Sequence, residues 1–242
     1  WLEYAGPHNE DRYLPALQRT FGLSFTGGAH IRSALDSSRS HFHDGLRGAV
    51  WGTKEWVRWR WARMRGERPL VKDPLAVFSA EWIAEQFDPE IVILVRHPAG
   101  FAHSLQRTGW GHDFTSFTEQ PTLMQRLPDP YAGEVREAAR EPGDIIDQAT
   151  LLWKIIYYEV AEYRDRHPDW MVVRNEDLST RPMDEFKSLC QFLDISFDDQ
   201  FKQNVREHTS GPSAPEELHA VQRDSQSEAW KWKRALDRKS VV

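Results

Sequence analysis

Residues 91–104, which read IVILVRHPAGFAHS, constrain the fold of this chain more than any other segment. Five apolar, mostly β-branched residues up to Val95 run without interruption, as in a strand buried on both faces of a parallel sheet. Pro98 fits the first turn of a following helix, where its missing N–H costs nothing. The segment therefore predicts a strand, a tight turn and a helix, with Arg96 at the carboxyl edge of a sheet.

That edge is where open α/β sheets bind their ligands. Free N–H groups at a helix start favour anions, and the arginine fork binds phosphate through two parallel hydrogen bonds. Ser104 follows Arg96 by eight residues, which is about two helical turns, so its hydroxyl can face the same anion. We interpret the two residues as a phosphate clamp. The alternative is a surface arginine and an ordinary helical serine.

Alternating strand and helix patterns predict an α/β fold, a parallel sheet flanked by helices, in a single domain over residues 1–242. Strands are expected at 70–72, 91–95 and 170–174. Helices are expected at 9–21 with Asn9 as cap, 51–66 ending at Gly66, 79–87, 144–166 with Asp144 as cap, 182–193 and 198–208. Residues 22–50 are predicted as loop, and residues 108–143 as a long irregular lid or acceptor-side segment with some helix.

Composition limits the classes of function. The formal net charge of −6 argues against bulk affinity for nucleic acid. A lone cysteine, Cys190, excludes a disulfide framework and suits a reducing compartment, so we expect a cytoplasmic protein. No apolar run approaches the roughly 20 residues that cross a bilayer.

Arg96 and Ser104 at a strand-to-helix junction resemble the 3′-phosphate-binding motif of sulfotransferases that use PAPS (3′-phosphoadenosine 5′-phosphosulfate). Upstream, the sequence PLVKDP at 69–74 is similar to the Lys-Asp-Pro segment of bacterial and protein-tyrosine members. Downstream, VVRNEDL at 172–178 resembles the strand of the family that ends in Glu-Asp-Leu, and FLDI at 192–195 resembles the end of the helix after it. The resemblance covers roughly residues 69 to 235.

The resemblance implies a P-loop-NTPase-like parallel sheet, the sulfotransferase fold. The family also carries an N-terminal strand and a Gly-Thr-rich loop that cradles the 5′-phosphosulfate, and residues 1–242 contain no such loop. We therefore expect the chain to be incomplete at its N-terminus.

Several residue roles follow from the same resemblance. Lys72, directly before Asp73 and Pro74, would be catalytic and stabilise the transferring group; alternatively it is a solvated lysine at a strand end. Residues that would bind the PAPS co-substrate or the PAP (3′-phosphoadenosine 5′-phosphate) product are Arg96, Ser104, Asn175, Arg223, Ser225, Trp230 and Lys231.

Asn175 departs from the family pattern but could still hydrogen-bond a purine edge, and the late-loop residues have an alternative interpretation. Asn175 stands where the family often has a tyrosine against adenine, so the stacking contribution would be lost. Arg223, Ser225, Trp230 and Lys231 resemble the late loop that closes over the nucleotide. An equal alternative is that Trp230 and Trp232 pack a C-terminal helix on the core, and that Glu176 orients the turn after its strand.

No catalytic base is assigned. Many cytosolic sulfotransferases have a histidine two residues after the lysine, and this position is Pro74 here. A general base must reach the acceptor hydroxyl through a hydrogen bond. The candidates in the chain are Asp73, His97, His103, His112 and Asp113.

The sequence thus predicts in-line transfer of a sulfuryl group from PAPS to an acceptor hydroxyl, without a metal. The acceptor stays open among carbohydrate, glycolipid, phenol and peptide tyrosine. The alternatives are a P-loop nucleotide or small-molecule kinase, and a non-catalytic protein that binds a nucleotide or partner on the same fold.

One further segment, residues 51–68, interleaves tryptophans with arginines. We favour an amphipathic helix that buries its tryptophans while the arginine stems cover apolar surface. The alternative is a helix on a membrane surface or an anionic-acceptor site.

Overall fold

The structure, a computed structural model, describes residues 3–23, 57–74, 76–210 and 224–235. The described part is mostly helical with a small parallel two-stranded sheet, so the α/β class is confirmed in its broad form. The chain groups into two compact units, residues 5–87 and residues 1–4 with 88–242. The single-domain organisation stays a prediction.

The unit of residues 5–87 is helical where it is described. Its helices are α1 (Glu10–Phe21), α2 (57–64), a 3₁₀ turn (Ala76–Ser79) and α3 (Ala80–Phe87). The Ala5 N–H donates to Ser79 Oγ at 2.8 Å. The rings of Phe21 and Phe87 stack with centroids 4.4 Å apart, which joins the last residues of α1 and α3.

The helices predicted at 9–21 and 79–87 are present as α1 and α3, and the described part of the helix predicted at 51–66 is present as α2. Residues 51–56 and most of the loop predicted at 22–50 lie outside the described residues. The strand predicted for this unit is wrong. The helix of residues 57–64 ends in a turn at Gly66, whose φ of +66° is the left-handed backbone that glycine adopts without strain. The predicted strand 70–72 is not formed: residues 67–73 have no regular structure, and Leu70 is 91% exposed. Pro69 and Pro74 bound this short segment, and a strand without a pairing partner has nothing to hold it extended.

The sheet of the second unit joins β1 (Val92–Val95) and β2 (Met171–Arg174) in parallel, with Val92 opposite Met171 and Val95 opposite Arg174. Both strands lie where the sequence predicts them. The expectation that β1 is buried on both faces is wrong for the described residues, because Val92 is 36% exposed and Leu94 56% exposed. Among the described residues, no third strand pairs with β1.

Helix α4 (Pro98–Thr108) begins directly after β1, as predicted. Pro98 occupies its first turn and His97 is the N-cap, whose Nδ1 accepts from the Ala99 N–H at 3.2 Å. Gly109, at φ +66°, ends the helix.

The segment predicted as a long irregular lid is helical instead. It forms α5 (Thr115–Thr118), α6 (Pro121–Arg126) and α7 (Asp129–Arg140), so this prediction is wrong. Pro121 and Pro130 stand in the first turns of α6 and α7, where the missing N–H costs nothing. Phe117 and Leu123 are fully buried, which ties these helices to the core.

Helix α8 (Ile145–Arg166) is the central element of this unit. Asp144 caps it as predicted, accepting from the Ile146 N–H at 2.7 Å and from the Asp147 N–H at 2.9 Å. Helices α4 and α7 both pack on it. The core of the unit contains large side chains that are almost completely buried: Phe114, Phe117, Leu123, Val135, Ile155 and Tyr163.

The remaining helices are α9 (Asn175–Thr180), α10 (Pro182–Phe192), α11 (Asp199–Thr209), α12 (Ser225–Ala229) and α13 (Trp232–Ala235). The predictions for 182–193 and 198–208 are confirmed, and α9 was not predicted. Helix α12 packs on α9, and α13 on α4. Within the described ranges, no helix is both long enough and apolar enough to cross a membrane.

Candidate anion-binding site

The candidate site lies where the two strands end. Val95 pairs with Arg174 in register, so Arg96 and Asn175 follow side by side at the carboxyl edge of the sheet. Arg96 enters the turn before α4, and Asn175 begins α9. Two of the predicted nucleotide-binding residues therefore share one edge.

The backbone of Arg96 is held from both sides by α8. Its N–H donates to Tyr157 Oη at 2.5 Å, and its carbonyl accepts from Trp153 Nε1 at 2.9 Å. Trp153 and Tyr157 are one helical turn apart, and their rings stack at 4.3 Å. The N–H and the carbonyl of Arg96 are thus both satisfied by rigid aromatic side chains. The backbone of Arg96 therefore has a fixed position.

Tyr157 stays protonated in this place. Burial raises the pKa of its hydroxyl above the ordinary value, and the nearby Glu176 charge adds to the rise. The hydrogen bond from the Arg96 N–H opposes that shift but does not reverse it. A neutral phenol beside the arginine adds no negative charge that would repel an anion.

The side chain of Arg96 runs along the first turn of α4. A Cβ added to Gly100 would lie 3.4 Å from Arg96 Nε and 3.5 Å from Trp232 Cδ1. The missing side chain of Gly100 thus lets the guanidinium end and the indole approach the helix together. Ser104 lies one turn further along the same face of α4, since residues four apart are neighbours on a helix.

Glu176, which follows β2, holds the turn between β1 and α4. Only 3% of the residue is exposed, and its Oε1 accepts from the His97 N–H at 3.0 Å. This hydrogen bond links the end of β2 to the turn between β1 and α4. Glu176 therefore positions the turn that carries Arg96.

Trp232 brings the late segment to the same place. Its ring stacks on His97, with centroids 4.5 Å apart and planes 14° from parallel. Its Nε1 is buried and has no hydrogen-bond acceptor among the described residues. The packing of a C-terminal helix through Trp232, one of the two alternatives in the sequence, is therefore present.

The other predicted late-loop residues are arranged differently. Ser225 Oγ donates to Ser179 O at 2.9 Å and lies 3.3 Å from Thr209 O, which ties α12 to α9 and α11. Trp230 is 36% exposed and has Lys233 Nζ 3.9 Å from its ring centroid. Lys231 is exposed, and Arg223 lies outside the described residues.

Lys72 belongs to the unit of residues 5–87, whereas Arg96 belongs to the other unit. Lys72 is exposed and lies in the segment without regular structure, so it does not end a strand as predicted. Its catalytic role stays a prediction.

Three of the candidate bases have defined surroundings. The Nδ1 of His97 is taken up by its capping hydrogen bond to Ala99. His112 is buried against Phe114 and Phe117, whose rings meet it edge-on, and burial lowers its pKa. Asp113 is exposed, and its carboxylate accepts from the Thr115 N–H at 2.9 Å, a hydrogen bond that lowers its pKa.

Sequence analysis missed the residues that position Arg96. Trp153 and Tyr157 are spaced four apart on a helix that was predicted, but that spacing is equally typical of core packing. Glu176 was recognised only as a group that orients its own turn. Nothing local in the sequence pairs any of these three residues with a turn 57 to 79 positions away.

The described residues contain no group of three or more His, Cys, Asp or Glu side chains placed to share a metal ion. Comparison of the chain with protein-family models, with curated proteins and with solved structures gave no match.

Proposed function

We propose that this protein is a PAPS-dependent sulfotransferase with a P-loop-like α/β fold. The observation that carries the proposal is the placement of Arg96 at the carboxyl edge of a parallel strand pair, with its side chain along Gly100 and Ser104 one turn beyond. This arrangement suits a 3′-phosphate, whose negatively charged oxygens accept hydrogen bonds from a guanidinium and from a nearby hydroxyl.

The N-terminus of α4 offers an anion fewer backbone N–H groups than a usual helix N-terminus does. Pro98 has no N–H, and the Ala99 N–H is used by His97. Anion binding therefore depends on side chains, above all Arg96.

The proposed reaction is in-line displacement at sulfur. The acceptor hydroxyl oxygen forms a new bond to sulfur while the bond between sulfur and the bridging oxygen of PAPS breaks. The electron pair of that bond leaves with PAP, and the hydroxyl proton passes to a base or to water. Catalysis of such transfers depends on alignment and on stabilisation of the developing charge, and a lysine ammonium such as that of Lys72 suits this task.

Isothermal titration calorimetry with PAP and with AMP tests the nucleotide site. We expect PAP to bind at least about tenfold tighter, because one charge-assisted pair contributes about 1.5–3 kcal/mol. Arg96→Ala should abolish most of this preference, and Ser104→Ala should reduce it less. Arg107→Ala is the matched control, since Arg107 is an exposed arginine in the last turn of the same helix.

Equal affinity of the unmodified protein for PAP and AMP would contradict the clamp. A kinase is distinguished by its requirement for a metal ion. Phosphoryl transfer from ATP that stops when EDTA is added would support the kinase alternative and contradict our proposal. PAP binding without transfer from labelled PAPS to any carbohydrate, glycolipid, phenol or tyrosine peptide would favour the non-catalytic alternative.

A further inference from the structure

Helix α2 exposes the apolar face that an amphipathic helix normally buries. Val57, Trp61 and Met64 are 44%, 55% and 70% exposed. Their spacing of four and three residues places them on one side of the helix. The preferred sequence interpretation, in which the helix buries its tryptophans, does not hold for Trp61.

The opposite side of α2 is less exposed. Trp59 and Ala62, about half a turn away from the exposed stripe, are only partly accessible. The Val57/Trp61/Met64 face of the helix remains open to solvent in the described part of the chain.

Arginines surround this open face. Arg58, Arg60 and Arg63 are exposed on the helix, and Arg65 and Arg68 are exposed directly after it. The guanidinium carbon of Arg65 lies 5.6 Å from the centroid of the Trp61 ring. Residues 57–68 contain five arginines and one acidic residue, Glu67, in a chain whose net charge is −6.

Exposed apolar side chains are concentrated here. Leu70 and Val71, which follow α2 closely in sequence, are 91% and 40% exposed. Half of the large hydrophobic residues that are exposed in the described part of the chain thus belong to residues 57–71. A contiguous apolar stretch with a polar rim marks an interaction surface, whereas scattered exposed residues do not.

We propose that α2 with the arginines that follow it, residues 57–68, is a docking surface for an anionic lipid bilayer. A tryptophan and a methionine between arginines match the boundary between acyl chains and phosphate headgroups: the apolar groups enter the boundary while the guanidinium groups stay at phosphate level.

A lipid surface fits better than an acidic protein. An acidic partner would satisfy the arginines but would leave Val57, Trp61 and Met64 without apolar contacts unless it brought a matching hydrophobic patch. A bilayer supplies both chemistries side by side. The inference is independent of the proposed sulfotransferase activity, because it uses none of the residues of the nucleotide site.

Vesicle flotation tests the proposal. The assay is run at about 0.1 M salt, where surface charges interact only within about 10 Å. The protein should float with phosphatidylcholine vesicles that contain phosphatidylserine and not with phosphatidylcholine alone. The double variant Arg58→Gln with Arg63→Gln should bind roughly 25-fold more weakly, at about five-fold for each arginine. Trp61→Ala with Met64→Ala should also lose about tenfold or more.

Matched controls separate the surface from general charge and hydrophobicity. Arg136→Gln with Arg140→Gln removes two exposed arginines of α7, and Trp110→Ala removes a tryptophan that is 57% exposed. Both should bind vesicles like the unmodified protein. Arg58→Lys with Arg63→Lys keeps the charge and should retain binding, and unchanged thermal melts of all variants would show that folding is intact.

Absence of flotation with anionic vesicles would overturn the proposal, as would equal flotation with neutral vesicles. Binding of polyglutamate tests whether the surface recognises an acidic protein. If it binds as tightly as the anionic vesicles and binding survives Trp61→Ala with Met64→Ala, the surface recognises an acidic protein instead.

Discussion

Single residues in this protein are fixed by partners far away in sequence. Arg96 keeps its position through the side chains of Trp153 and Tyr157, and its turn is held by Glu176. The charge-bearing residue of the candidate site thus depends on aromatic groups that carry no charge. Preorganisation of this kind reduces the entropy that a ligand would otherwise lose on ordering the arginine.

Glu159 shows how the same unit accommodates a buried charge. Its side chain is 3% exposed and pairs with Arg126 and, at 3.5 Å, with Arg166. Two guanidinium groups offset the cost of removing one carboxylate from water. Glu159 and Arg166 lie on α8, the helix that also positions Arg96, and Arg126 lies on α6.

His112 predicts a pH dependence of stability. Burial lowers its pKa in the folded state, whereas in the unfolded chain it titrates near 6.5. The neutral side chain therefore contributes stability that is fully present above about pH 6.5 and is lost as the pH falls through the lower folded value. Urea denaturation between pH 8 and 5 should show the free energy of unfolding declining on the acid side.

The variant His112→Gln removes this titration. Its free energy of unfolding should be lower at pH 8 but should decline less between pH 7 and 5 than that of the unmodified protein. Parallel curves for the two proteins would show that another group causes the acid sensitivity.

Several helices begin at residues whose side chains cap them. Asp144 and Asp147 form a capping box at the start of α8, in which each side chain accepts a backbone N–H of the other residue. His97 and Asp198 cap α4 and α11 through side-chain acceptors as well. Such caps satisfy N–H groups that have no partner within the helix.

Removal of the α8 cap should destabilise the protein. We expect Asp144→Ala to lower the free energy of unfolding by about 1 kcal/mol, because two N–H groups lose their acceptor at the start of the central helix. The measurement is a shift of the urea midpoint. Asp144→Asn, which keeps an acceptor oxygen, should retain most of the stability, and a loss as large as that of the alanine variant would show that charge rather than capping is responsible.

At the scale of the whole molecule, each compact unit contains buried apolar side chains. Phe78 and Trp82 are buried in the unit of residues 5–87. In the other unit, helices α5 to α8 enclose Phe114, Phe117 and Ile155. The two-stranded sheet is too small to supply a core alone, so helix packing provides most of the buried surface.

The core of the second unit makes Phe117 a sensitive position. Phe117 has 0% exposure, and Phe117→Ala should lower the free energy of unfolding by about 3–5 kcal/mol. Trp110→Ala, at a residue that is 57% exposed, should change it by less than about 0.5 kcal/mol in the same urea experiment.

If Phe117→Ala does not fold, Phe117→Leu gives a milder measurement, with an expected loss of about 1–1.5 kcal/mol. A Phe117→Leu variant as stable as the unmodified protein would show that this side chain is not a central part of the core.

The sequence alone determined the elements whose signals are local. The apolar run up to Val95, Pro98 after it, Asp144 before α8 and Gly66 after α2 each act on immediate neighbours, and each element is present as predicted. Tertiary structure decided what no neighbour in sequence can specify. It left Leu94 exposed, made helices of residues 115–140, and gave Arg96 its supports on α8 and its neighbour Trp232. Backbone propensity and capping act over a few residues, whereas burial and side-chain contacts depend on which distant segments pack together.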